Sequence, residues 1–300
     1  MLHVIFYAYG APSSIDDVND FFSHVLNGKK VPAPMLENLQ NAFLKSGFPD
    51  FIASSSQRIA QGLEVLLTER LQQQVKVYNA YKHTAPFVED AVELAIADGA
   101  TKIVTLAINP INSPSGGGAV HTEVANLLKD TTIMHIAIDN WHLNEDIVAV
   151  YTDRVRRSLN WLPTKVHSNA HILFTVHSQQ IDEERNKPYV EQYEQLAAAI
   201  ATKLGVENFH ITYRSAHGTT GWLGPDVCEH IRTLHEQGAS GIVTCELLSL
   251  TADVESYFEI GEECQQLCRE IGLPFAVSEF PGDSFDTVNA LAKLIENRIK

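Results

Sequence analysis

The chain has 300 residues, 45% of them hydrophobic and 20% charged, with a formal net charge of -15. This length and composition suit one large soluble domain or two of ordinary size, and the acidic balance argues against nucleic acid or an anionic membrane as partner, since both attract basic surfaces. No stretch reaches the length of a membrane span, and the opening "MLHVIFYAYGAP" lacks the basic start and long apolar segment of a signal peptide.

Taken in chain order, eight short runs rich in β-branched and aromatic residues read as strands. They are "HVIFYAY" at the start, "QVKVYNAY" at 74–81, "KIVTLAI" at 102–108, "TIMHIAI" at 132–138, "HILFTV" at 171–176, "FHITYRS" at 209–215, "GIVTCEL" at 241–247 and "PFAVSEF" at 274–280. Segments with helical spacing separate them, among them "SQRIAQGLEVLLTERLQ", "FVEDAVELAIADG", "YVEQYEQLAAAIATKLG" and "DVCEHIRTLHEQG", and several end in glycine. Such alternation predicts an α/β protein with parallel sheets covered by helices on both faces.

Four strands precede the long helical stretch "NEDIVAVYTDRVRRSLNWLP" and four follow it. We therefore expect two similar α/β halves, 1–145 and 146–282, with a closing helix over 283–300 that opens on a good cap. No residue-level repeat relates the halves. Cys228, Cys245, Cys264 and Cys268 form no CxxC pair, so neither a disulfide framework nor a zinc module is indicated, and a reducing cytoplasm fits.

Four places carry residues suited to chemistry. His177 follows the apolar run "HILFTV", at the carboxyl end of a strand where α/β folds place their sites; a packed histidine is the plainer alternative. In "TADVESYFEIGEEC", a helix would project Glu255, Glu259 and Glu263 from one face, with Glu262 beside them, either as a solvated acidic face or as oxygen ligands for a divalent cation. Tyr9 in "YAYGAP" sits at a strand-to-loop transition, as a phenolate ligand or a rim aromatic. "YRSAHGTTGWLGPDV" is a loop leading into a helix, and "WLGPDV" reads equally as scaffold. The run Gly116, Gly117, Gly118 precedes a helix but lacks the lysine of a phosphate loop and the spacing of a dinucleotide fingerprint, which favours a flexible loop.

In this order, "YAYGAP", "YKHTAPFVEDAV", "TVHSQQ", "WLGPDV" and "ADVESYFEIGEEC" resemble the ferrochelatase family, particularly the water-soluble type that inserts iron into coproporphyrin in monoderm bacteria. The resemblance spans nearly the whole chain. It implies two Rossmann-like halves facing each other across a porphyrin cleft, Fe2+ as the substrate metal, no iron–sulfur cluster, and a monomer. It further implies His177 as base and metal ligand, Glu255 as its partner across the ring, Glu259 and Glu263 as an acidic metal track, and Tyr9 approaching the metal from the opposite face. Phe22, Leu26, Phe43, Asp50, Val120 and Trp222 would complete the porphyrin site.

Several positions depart from the family pattern in one direction. Leu26, Asn27 and Ala42 stand where arginines grip the porphyrin propionates, and Asp50 and Phe51 of "GFPDFI" stand where a small-residue loop would meet an anion. Phe22 and Phe43 replace tyrosines, Ile111 and Asp253 replace histidines, and Val120 replaces a cleft aromatic. Each charge-assisted hydrogen bond lost this way removes about 1.5–3 kcal/mol of binding. Lys29 and Lys30 lie on a nearby loop. Alternatives to an active ferrochelatase are therefore a related protein that holds porphyrin, haem or metal without efficient turnover, or a chelatase for another metal or tetrapyrrole.

Overall fold

The computed structural model describes residues 1–46, 51–112, 116–216 and 221–300. In chain order the first half holds β1 (Leu2–Ala8), α1 (Val18–Val25), α2 (Ala33–Ser46), α3 (Phe51–Leu71), β2 (Val75–Tyr81), α4 (Val88–Ala97), β3 (Lys102–Ala107), α5 (Gly117–Leu128) and β4 (Met134–Ile138). Helix α6 (Glu145–Trp161) and a 3-10 turn (Thr164–Asn169) lead to β5 (Ala170–His177), α7 (Glu183–Leu204), β6 (Phe209–Arg214), α8 (Val227–Glu236) and β7 (Gly241–Glu246). A short turn of helix, α9 (Val254–Ser256), then runs through a π-helix (Tyr257–Glu263) into α10 (Cys264–Glu270), before β8 (Phe275–Val277) and α11 (Phe285–Ile299).

All eight predicted strands form, and they form two four-stranded parallel sheets of the same order, β2-β1-β3-β4 and β6-β5-β7-β8. The duplication is thus one of topology, without sequence repetition. Strands β1, β3, β5 and β7 are flanked on both sides, which is why their sequences are continuous apolar runs rather than alternating ones. Local chemistry sets the helix starts: the side chains of Asn144, Asp182 and Asp226 each accept a hydrogen bond from a first-turn amide. Gly205, at φ 72°, ends α7 in the left-handed conformation that costs glycine least.

The halves exchange helices. Helix α6 packs against β7 and β8 of the second sheet, whereas α11 returns to pack on α3 and β4 of the first. Arg154 of α6, almost fully buried, ties this crossing by donating to Ser284 and Asp286 at the start of α11, at 2.8 and 2.9 Å. One apolar core consequently runs through both halves, from Leu2 and Phe6 through Tyr151 and Phe174 to Ile295. Across the junction, Asn109 donates to the Leu248 carbonyl at 2.8 Å, and the Asn112 amide donates to Gln192 at 2.8 Å.

The glycine run has a packing explanation. A Cβ on Gly117 would stand 3.1 Å from the Cβ of Ala107, so glycine lets α5 lie close on β3. The expectation of a flexible loop there is corrected for Gly117 and Gly118, which belong to the helix.

Candidate functional site at the carboxyl ends of the two sheets

In a sheet of order 2-1-3-4 the direction in which successive strands are added reverses beside the first strand, and the crevice beyond that point is where such folds bind ligands. Tyr9 directly follows β1 and His177 ends β5, the equivalent strand of the other half. Tyr9 is held outward, 43% exposed, by Gly10, whose φ of 89° and close approach to Thr84 exclude a side chain.

His177 pairs in register with Arg214, the last residue of β6, while Glu246, the last residue of β7, pairs with Thr175. The two-residue period of a strand puts Thr175 and His177 on the same face, so His177, Arg214 and Glu246 project together. The His177 Nδ1 lies 2.6 Å from the Ser178 carbonyl, which can only accept, so Nδ1 carries the proton of the neutral ring. Nε2 is then left with its lone pair, 3.6 Å from Oε2 of Glu255. The fixed tautomer makes His177 a proton acceptor facing a carboxylate.

Arg214 is the residue that sequence reasoning passed over. It is 2% exposed, and each of its three nitrogens meets a different carboxylate: Nε to Glu246 at 3.1 Å, Nη1 to Glu255 at 3.3 Å and Nη2 to Asp253 at 3.0 Å. Burial opposes its charge, but the Asp253, Glu246 and Glu255 carboxylates outweigh that and hold the guanidinium firmly protonated. Burial pushes Glu246 up to about 7, with Arg214 opposing the shift. Glu255 is raised by burial and by neighbouring Asp253, whereas Asp253 is lowered because Arg214 and the Ser256 amide outweigh its burial. The signal was present: "FHITYRS" and "GIVTCEL" are apolar strands that end in a charge at matching positions.

The acidic segment is not a regular α-helix. A π-helix spans Tyr257–Glu263, a distortion frequent at functional sites, and carbonyls in this irregular turn find side-chain donors. Thr244 Oγ1 donates to the Ile260 carbonyl at 3.1 Å and Cys264 Sγ to the Glu259 carbonyl at 3.0 Å. The three glutamates expected on one helix face accordingly part ways. Glu255 turns to Arg214 and His177, Glu259 accepts from the amide and hydroxyl of Ser215, and Glu263 is exposed to solvent. Among the described residues no three His, Cys, Asp or Glu side chains converge to hold a metal ion.

The opposite wall is aromatic. Tyr9 packs edge-on against His83 at 4.5 Å and Phe21 at 6.2 Å, and the Nδ1 atoms of His24 and His83 are hydrogen-bonded to each other at 2.8 Å. Half-buried Lys82 places its Nζ 5.9 Å from the centre of the Tyr9 ring, bringing a cation into the crevice that the sequence reading had not used. Burial and the Glu255 and Asp253 carboxylates push the Tyr9 phenol up, which favours its neutral hydroxyl in the metal-free protein.

Other expected contacts are placed differently. Phe22 and Phe43 are buried with Val18, Phe21, Val31 and Val254 in a cluster that seals α1 and α2 onto α9, and Leu26 packs against it. Their rings hold the two halves together instead of lying open to a ligand. Val120, with no exposure, belongs to the core between α5 and the first sheet and presents nothing to the crevice. Ile111 is equally buried. Trp222 is half-buried in a bridge to Gln180, and the Leu223 carbonyl accepts from Ser178 Oγ at 2.7 Å, so this turn braces the loop after His177. Asp50 lies outside the described residues. A cavity of about 370 Å³ on another side of the π-helix is lined by Trp161, Tyr257 and Phe280, and none of His177, Glu255 or Tyr9 borders it.

A family model for ferrochelatase matches residues 3–299. The chain belongs to the ferrochelatase family. Among relatives of this ferrochelatase-family chain, coproporphyrin III ferrochelatase of Bacillus subtilis (strain 168) is 28% identical over 97% of this chain and 96% of its own length. That of Geobacillus kaustophilus is 29% identical, covering 97% and 94%. A ferrochelatase of Deinococcus radiodurans is 24% identical, covering 99% and 96%. In fold, the chain is similar to the SirB protein of Bacillus subtilis solved with Fe3+, at a TM-score of 0.64 and 14% identity, covering 99% of this chain and 95% of that one.

Proposed function

We propose that this protein inserts Fe2+ into a porphyrin in haem synthesis, with coproporphyrin III, named in the description of its Bacillus and Geobacillus relatives, as the acceptor. The observation that carries the proposal is the pairing of His177 Nε2 with Glu255 across 3.6 Å at the mouth of the crevice. Metallation removes two pyrrole protons as the divalent cation enters, leaving a neutral ring centre. Nε2 of His177 accepts one proton, and Glu255 stabilises the imidazolium that results. The raised Glu255 carboxyl suits it to take up the second proton.

A protein site that does not itself enclose the cation suits this chemistry, because the four ring nitrogens supply the final coordination and the protein must release what it delivers. His177 and Glu255 offer one nitrogen and one oxygen at the point of transfer, with Tyr9 and Trp222 bordering the ring. Lys82 provides a cation for the ring's carboxylates where Leu26, Asn27 and Ala42 offer none. We further place the enzyme in the cytoplasm as a monomer, without an iron–sulfur cluster. Four free thiols support a reducing compartment, and among the described residues no helix is long and apolar enough to cross a membrane.

The test is an anaerobic titration with coproporphyrin III followed by ferrous iron, read in porphyrin absorption and fluorescence. Binding followed by conversion to the metalloporphyrin spectrum, lost in His177→Ala, is the expected result. Binding without conversion would instead identify a protein that holds porphyrin, and no binding would redirect the search to other tetrapyrroles.

A further inference from the structure

We infer that Arg214 is a built-in cation that keeps the carboxylates beneath His177 from trapping the metal they help to deliver. The inference rests on the metal-insertion reading above and deepens it, by assigning a residue that sets how tightly the site holds a divalent cation.

Three carboxylates reach one point from different parts of the chain: Glu246 from the end of β7, Asp253 from the cap of α9, and Glu255 from its first turn. With His177 3.6 Å from Glu255, these are the residue types of an oxygen-rich divalent site. The point they surround is filled by Arg214. Its Nε, Nη1 and Nη2 take one carboxylate each, at 3.1, 3.3 and 3.0 Å, and the guanidinium is 2% exposed. Divalent ions bind carboxylate oxygens at roughly 2.0–2.6 Å, so a metal at that point would have to draw together oxygens that the planar guanidinium holds apart. This accounts for the absence of a converging metal cluster among the described residues, although the carboxylates are close neighbours.

The choice of arginine matters. A guanidinium stays charged across the biological pH range and has a fixed fork, so it is neither titrated away nor easily shifted, whereas a lysine would be a single mobile point charge. Glu255 alone faces both ways, with Oε2 near Arg214 Nη1 and near His177 Nε2. It can therefore contribute one oxygen to an arriving cation while Glu246 and Asp253 remain committed to Arg214. The resulting hold is weak, which favours transfer to the ring. Arg214 acts through Glu255 and is a positioning residue rather than a catalytic one.

The experiment titrates purified protein with Co2+ in the absence of porphyrin, by calorimetry, for the parent, Arg214→Gln, Arg214→Lys and the double variant Arg214→Gln/Glu246→Gln. The double variant removes the buried carboxylate that Arg214→Gln leaves unpaired, so it guards against loss of folding. We expect Co2+ affinity to rise at least about tenfold in Arg214→Gln, because one unit of opposing charge within hydrogen-bonding distance is gone, and by a smaller factor in the double variant, where the net charge is unchanged but Asp253 and Glu255 are released from the guanidinium to face the cation. Arg214→Lys should show no such gain, and adding Glu255→Gln to the double variant should abolish it. Unchanged or weaker Co2+ binding in the folded double variant would overturn the inference, because a purely structural arginine can only loosen the site when removed. Metallation of coproporphyrin is measured separately, and the insertion reading predicts that KM for the metal and kcat fall together in the double variant. A parent that metallates nothing would defeat that reading while the Co2+ titration still decides the role of Arg214.

Discussion

His177 and Arg214 are register partners at the ends of adjacent strands, yet their side chains are sorted oppositely: His177 keeps 31% of its surface exposed and Arg214 only 2%. The proton acceptor meets the crevice and the cation lies beneath it. His177→Ala should therefore slow metallation by at least about a hundredfold, the lower range for loss of a general base. Its melting temperature should change little, since the Tyr189 hydroxyl bonds the His177 carbonyl at 2.9 Å and that backbone contact survives. A metallation rate equal to the parent's would remove His177 from the mechanism.

Glu259, which the family resemblance implies as part of a metal track, also anchors a neighbouring turn. Its carboxylate accepts from the amide and hydroxyl of Ser215, whose φ of 58° is in the left-handed region. Removing it leaves a strained turn without its anchor next to Arg214. Glu259→Ala should cost about 1–3 kcal/mol in denaturant unfolding, with Glu259→Gln costing less because its carbonyl can still accept one bond. Equal stability of parent and Glu259→Ala would show that the anchor is unnecessary.

Gly10 positions Tyr9 by excluding everything else. A Cβ there would meet Thr84 Cγ2 at 2.8 Å, and the backbone φ is 89°. Gly10→Ala is expected to destabilise the fold by about 1–3 kcal/mol. It should also weaken coproporphyrin binding in a fluorescence titration, as Tyr9 shifts from the rim. Porphyrin affinity unchanged alongside the stability loss would place Tyr9 away from the ring.

At the other end of the second sheet three imidazoles cluster: His171 Nδ1 lies 2.8 Å from His210 Nε2, and the His210 and His230 rings are 4.8 Å apart. Burial, reinforced by His230 and His171, lowers His210 from the ordinary 6.5 to about 4. Between these two values the unfolded chain takes up a proton that the folded chain refuses. Stability is therefore full above 6.5 and is lost progressively as the pH falls toward 4. Denaturant midpoints measured across this window should fall less steeply for His210→Phe, which keeps the ring packing; parallel pH profiles would exclude the cluster as the source.

Much of the fold could be read from local pattern, because strand and helix periodicities are properties of consecutive residues. The eight apolar runs are the eight strands, and "NEDIVAVYTDRVRRSLNWLP" is α6 between the two sheets. That His177 and Glu255 lie near each other, 3.6 Å apart, agrees with what the family resemblance implies of their placement. Residues whose role depends on what lies across from them were not legible in this way. Phe22, Phe43 and Val120 are cleft residues by the family resemblance but are buried here, because α1 and α2 close onto Val254 and α5 lies flat on the first sheet. The π-helix rests on donors from Thr244 on strand β7 and Cys264 at the start of α10. By itself, then, the sequence determined the order and kind of elements and the chemical types at the strand ends. Only the tertiary structure decided that three carboxylates distant from Arg214 in the chain would surround it, since burial and charge pairing are set by neighbours in space.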